Sequence, residues 1–173
     1  MNIIVIDGQG GRMGAQLIEG VRAAEIPCDI TAIGTNVLAT SAMLKAGASR
    51  GATGENPVIV ACRDAEVIVG PIGILAADAL LGEITPAMAV AVGQSRAVKL
   101  LLPVNQCKNI VVGTQQMTMN QLVAEAVALA KDADFVFFFA GTNPLKFQSR
   151  LEQISVDGQF QFAIHKFRQT LCN

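Results

Sequence analysis

Short β-branched runs alternate along the chain with stretches whose apolar residues recur at helical spacing. Asn2–Asp7 (NIIVID) is a continuous apolar run that ends on glycines, the pattern of a strand buried on both faces. Beyond Gly8–Gly14, the residues Met13, Leu17, Ile18 and Val21 fall on one helical face, and Pro27 closes that unit. Ile30–Gly34 is expected to be a second strand and Ala39–Ala48 a second helix. Gly51–Asn56 (GATGEN) reads as loop, Val58–Cys62 (VIVAC) and Glu66–Gly70 (EVIVG) as strands, and Gly70–Gly73 (GPIG) as a turn. Ile74–Leu81 reads as a short helix. A further helix is expected from Thr85-Pro86 to Ala97, because Thr is a good N-cap and Pro suits the first helical position. Leu100–Val104 and Asn109–Gly113 read as strands and Met119–Lys131 as a helix. This alternation predicts βαβ crossovers, hence an α/β, three-layer domain on a mostly parallel sheet.

The grammar changes after Asp134. Phe135–Ala140 (FVFFFA) is strand-like, and Ile154, Val156, Phe160, Phe162 and Ile164 alternate around Asp157-Gly158, a hairpin signal. Composition divides at the same place. There is no Trp or Tyr, and all eight Phe lie between Phe135 and Phe167. The expected organisation is therefore a body over residues 1–134 and a Phe-rich β-hairpin appendage over 135–173.

Charge narrows the partners. The formal net charge is −1, and the body carries nine Lys/Arg against twelve Asp/Glu, so it has no basic stripe to track a nucleic acid. The longest apolar stretch, Val67–Leu81, is broken by Gly70, Pro71, Gly73 and Asp78, which argues against a membrane span. Cys28, Cys62, Cys107 and Cys172 are widely spaced and the single histidine is His165, so a metal site is not expected. A chain that opens directly into a strand, with reduced thiols, is expected in the cytoplasm.

The strongest chemical pattern is the loop Gly8-Gln9-Gly10-Gly11-Arg12-Met13-Gly14 between a strand and a helix. Glycines let backbone approach a phosphate, and a helix start offers free N–H groups. The spacing is G-x-x-G-x-x-G with Gly10 in addition; Arg12-Met13 stands where a P-loop needs Lys-Ser/Thr. A carboxylate introduced at Gly11 is expected to repel a pyrophosphate there. Thr35 and Asn36, after the second strand, are candidates for a ribose or a phosphate, and they select neither NAD nor NADP. Gly70, Pro71, Ile72 and Gly73 are candidates for the opposite wall. Two roles are open for Asp7: capping the helix amides, or holding a cation with a phosphate. Cys62 beside Arg63 reads as a packed thiol, Asp78 and His165 as solvent-facing, and Glu55 and Glu83 as loop residues that face solvent by default and could meet a ligand.

The segment IDGQGGRMGAQLIEG resembles the N-terminus of dihydrodipicolinate reductases, which implies a nicotinamide dinucleotide over Gly8–Gly14. The paired-His motif and catalytic Lys of those reductases have no counterpart here. Over residues 1 to about 130 the chain is similar to a bacterial family known as domain of unknown function 3842. IDGQGGRMG, AIGTNVLATSAMLKAGA, GATGENPVIV, VIVGPIGILAADALLGEITPAMAVAVGQSRA and LLPVNQC carry that likeness. It implies a Rossmann-like fold and names no activity. Three readings follow: a nucleotide-binding domain with a dinucleotide or mononucleotide phosphate on Gly8–Gly14, NAD and NADP being candidate cofactors; a non-catalytic sensor or partner-binding module; and a purely structural glycine turn. A homodimer is expected from the apolar surplus.

Overall fold

The computed structural model describes residues 1–103 and 117–141. Among these residues five strands form one parallel sheet: β1 (Asn2–Asp7), β2 (Asp29–Gly34), β3 (Arg50–Thr53), β4 (Val67–Pro71) and β5 (Val98–Leu102). Their order is β3-β2-β1-β4-β5. The chain winds outward from β1 in one direction, then crosses to β4 and continues in the other. That reversal leaves a crevice beyond the carboxyl ends of β1 and β4, where ligands sit in open α/β sheets.

Four α-helices join successive strands, α1 (Arg12–Ala23), α2 (Val37–Lys45), α3 (Glu55–Ala61) and α4 (Pro86–Gln94), and among the described residues α5 (Met119–Gly141) follows β5. Pleat alternation divides the central strands between two cores. Ile4, Ile6 and Ile68 pack with Val58 of α3 and Met88 and Val92 of α4. On the other face, Leu17, Ile18 and Val21 of α1 and Ala39 and Met43 of α2 are buried. Gly20 lets α5 lie against α1, since a Cβ there would stand 2.9 Å from Val127 and 3.2 Å from Val123. Met1–Asp134 is one compact unit.

Several sequence expectations change. Val58–Cys62 belongs to α3 and the end of its cap, not to a strand, and GATGEN is divided between β3 and α3. A short β-branched run has no periodicity of its own, and here Gly54 and Glu55 start a helix through it. Ile74–Leu81 is not a helix. A 3-10 turn over Ile72–Leu75 leads into an irregular loop in which Asp78, Leu80 and Leu81 take left-handed φ values of 62°, 55° and 60°. Phe135–Ala140 continues α5 instead of forming a strand. No Gly or Pro interrupts Met119–Ala140, and the described helix spans Met119–Gly141. The expected strand at Asn109–Gly113, the hairpin around Asp157-Gly158 and His165 lie outside the described residues.

The start of α4 follows the sequence closely. Thr85 is the N-cap, its Oγ1 accepts from the Met88 amide at 3.2 Å, and Pro86 opens the helix. Thr85→Ala is expected to cost about 1 kcal/mol, read as a lower urea midpoint with an unchanged slope.

Candidate functional site

β1 delivers Asp7 to the carboxyl edge of the sheet, and the chain then turns sharply into α1. Gly11 caps that helix with φ +67°, a conformation that side chains rarely adopt. The buried Asp7 carboxylate spans the turn: the Gly8 amide donates to Oδ1 at 2.8 Å and the Gly14 amide to Oδ2 at 2.7 Å. Burial pushes the Asp7 carboxyl above its ordinary value, while the Gly14, Gly8 and Met13 amides act against that shift and the charge of Glu83 adds to it. Of the two roles open to Asp7, the geometry is that of a cap. Among the described residues no group of three or more His, Cys, Asp or Glu is placed to hold a metal.

A second carboxylate reaches the loop from far along the chain. Glu83, before α4, accepts from the Gln9 amide at 2.7 Å and from the Thr35 hydroxyl. The Asn36 amide group lies 3.3 Å from both Glu83 oxygens and donates to the Gln9 carbonyl at 2.9 Å. Its Oδ1 caps α2 through the Ala39 amide at 2.9 Å. Partial burial opposes the Glu83 charge, but the bonds from Thr35, Gln9 and Asn36 outweigh it and hold the carboxyl below its ordinary value.

On the other side of the loop, a cleft of about 530 Å³ opens between Asp7–Met13 and the end of β4. That volume is within the range of small-molecule sites. Pro71, Gly73 and Leu80 form one wall, and Gln16, Met119 and Asn120 complete the lining. Arg12 is exposed and is the only Lys or Arg among the described residues of the lining.

The loop glycines differ in what requires them. A Cβ on Gly8 would meet Glu83, Thr35 and Leu80; on Gly11, the backbone of Ala39; on Gly14, Met43 and Asp7. At Gly10 a Cβ would meet nothing within 4 Å, and the backbone there is not left-handed. Three of the four glycines are thus accounted for by the fold itself, and Gly10 is not.

The sequence candidates are only partly brought together. Gly8, Gln9, Gly10, Gly11, Arg12 and Met13 line the cleft with Pro71 and Gly73. Gly14 is turned inward, and Thr35 and Asn36 stand with Glu83 on the β2 side. Gly70 lies within β4, where a Cβ would strike the Ile6 carbonyl, and Ile72 is not in the lining. Gln16 is one helical turn from Arg12, a spacing that places both on one face. Leu80, Met119 and Asn120 arrive by tertiary packing, which no local pattern announces. Asp78 is exposed. Cys62 is buried, and burial raises its thiol pKa while Lys99 lowers it.

Fold and cleft together define a Rossmann-like α/β protein whose glycine loop opens on the crevice at the sheet's switch point. The chain belongs to the family described as Domain of unknown function (DUF3842), whose sequence pattern matches residues 2–134. No curated protein matches it. Among solved structures it is similar to a dodecameric FMN-dependent Ubix-like decarboxylase from Escherichia coli O157:H7. The identity is 14%, the TM-score 0.36, and the match covers 83% of this chain and 97% of that one. No described helix is long and apolar enough to cross a membrane.

Proposed function

We propose that the cleft binds a phosphorylated nucleotide, with phosphate against the Gly10–Arg12 backbone and the Arg12 guanidinium and the remainder toward Pro71–Gly73. The observation that carries this reading is Gly10, a glycine on the cleft that neither backbone geometry nor packing requires. Close approach of a ligand is a reason for its lack of a side chain. NAD and NADP fall within the ligand class, as do mononucleotides.

The test is calorimetric titration of the full chain with AMP, nicotinamide mononucleotide, FMN, NAD and NADP. Gly10→Val is expected to keep the stability of the parent chain within about 0.5 kcal/mol, because its side chain meets open space. It is expected to weaken binding about ten-fold or more, because that space is the phosphate's. Silence from all five ligands would sink the proposal, and equal binding by Gly10→Val would move the phosphate elsewhere.

A second reading, a sensor that binds without turnover, is favoured by one feature. Asp7 is the only carboxylate in the described lining, and both its oxygens are committed to backbone amides. Two further elements belong to the proposal. Residues 135–173 form an appendage to the nucleotide-binding body. The chain self-associates, since Leu81, Val37 and Leu38 are 95%, 72% and 74% exposed next to the Glu83–Asn36 contact.

A further inference from the structure

We infer that Glu83 makes this a single-phosphate site: its carboxylate occupies the β2 side of the glycine loop, where a dinucleotide would place its second half. The inference rests on the nucleotide reading above and narrows its ligand to mononucleotides.

The first argument is a count of donors. Asp7 takes the Gly8 and Gly14 amides, Glu83 takes the Gln9 amide, and the Gly11 amide donates to the Gly8 carbonyl at 2.9 Å. The Gly10 and Arg12 amides and the Arg12 guanidinium remain without acceptors among the described residues. Two amides and one guanidinium suit one phosphate. A pyrophosphate on this loop needs donors that the protein's own carboxylates already hold.

The second argument is position. On this fold the adenosine ribose of a dinucleotide lies at the carboxyl end of β2. Here that end is Gly34, followed by Thr35 and Asn36, and both side chains are bonded to Glu83. Asn36 also holds the Gln9 carbonyl and caps α2, so it cannot turn to a ribose without loss on both counts. Gly8 agrees with this account, because the atoms that fill its missing side chain are those of Glu83, Thr35 and Leu80. An incoming ribose would have to break this network, and a second phosphate would meet an ionised carboxylate. Like charges brought together in this way are strongly unfavourable. The open volume lies on the opposite side, toward Pro71, Gly73 and Met119.

The experiment compares the full-length wild type with Glu83→Gln and Glu83→Ala against AMP, nicotinamide mononucleotide, FMN, NAD and NADP. Circular dichroism melts establish that both variants are folded. In the wild type, the best mononucleotide is expected to bind at least about ten-fold more tightly than NAD or NADP. Glu83→Gln, which keeps size and loses charge, is expected to narrow that ratio, and Glu83→Ala to narrow it further. Wild-type binding of NAD as tight as that of the best mononucleotide would overturn the inference while leaving the nucleotide reading intact. An unchanged ratio in Glu83→Ala would do the same. If none of the five ligands binds, the nucleotide reading and this inference fall together.

Discussion

Gly11→Ala is expected to destabilise the protein by about 3 kcal/mol or more, the sum of a left-handed backbone cost and an overpacking cost. The added Cβ would stand 2.5 Å from the Ala39 Cα and 2.6 Å from its carbonyl oxygen, and φ at this residue is +67°. The obstacle is the backbone of α2, which cannot turn aside as a flexible side chain can. Against a total of roughly 5–15 kcal/mol for an ordinary domain, the loss is large. Urea denaturation measures it, and Gly10→Ala is the control, expected to stay within about 1 kcal/mol of wild type. A Gly11→Ala protein as stable as its parent would show that the first turn of α1 is not seated against α2. The geometry also changes what a carboxylate at Gly11 would report: it would test folding before it tested any repulsion of phosphate.

Asp7→Ala is expected to cost about 2–4 kcal/mol, because it strands the Gly8 and Gly14 amides at a buried helix start. Asp7→Asn separates this capping role from charge. The folded Asp7 carboxyl titrates above the ordinary value of 3.8, so just above that pH the folded state holds a proton that the unfolded chain has released. Within that window wild-type stability therefore rises as pH falls, and at neutral pH the full cost of the buried charge is present. Glu83 acts in the opposite sense. Its lowered carboxyl contributes stability above the ordinary value of 4.5, and this is lost as pH falls through the lower folded value. The difference between wild type and Asp7→Asn across an acid titration isolates Asp7, and it should shrink as pH falls through the raised carboxyl's range. A difference independent of pH would mean that Asp7 is not burdened by its burial.

Residues whose role is fixed by near neighbours were legible in the sequence. NIIVID maps onto β1 residue for residue because a both-faces-buried strand needs no alternation, and the Thr85-Pro86 start of α4 is set by its own side chain. The helical face of α1 is also recovered, with Leu17, Ile18 and Val21 buried as their spacing requires. VIVAC and FVFFFA were not decidable locally. Each is a short apolar run that fits a strand or a helix equally, and its own pattern does not choose between them. The site divides in the same way. Gly8–Met13 is contiguous and visible, whereas Glu83 stands 74 residues from the Gln9 amide that it binds. A loop glutamate followed by a capped helix carries no mark of the partner it will find across the sheet.

The two carboxylates at the glycine loop have a consequence for the empty protein. An anion-binding turn that depends on an outside phosphate is unfinished until one arrives, and its folding is then tied to ligand supply. Here Asp7 and Glu83 are anions carried within the chain, and they hold the Gly8, Gln9 and Gly14 amides from the start. The ligand-free state is already complete. Occupancy of the cleft by the proposed nucleotide would add stability on top of a finished fold, with the logarithm of ligand concentration over Kd, and would not decide whether the fold exists. On the proposed function, the chain would persist through scarcity of that nucleotide, and its abundance and its occupancy would vary independently.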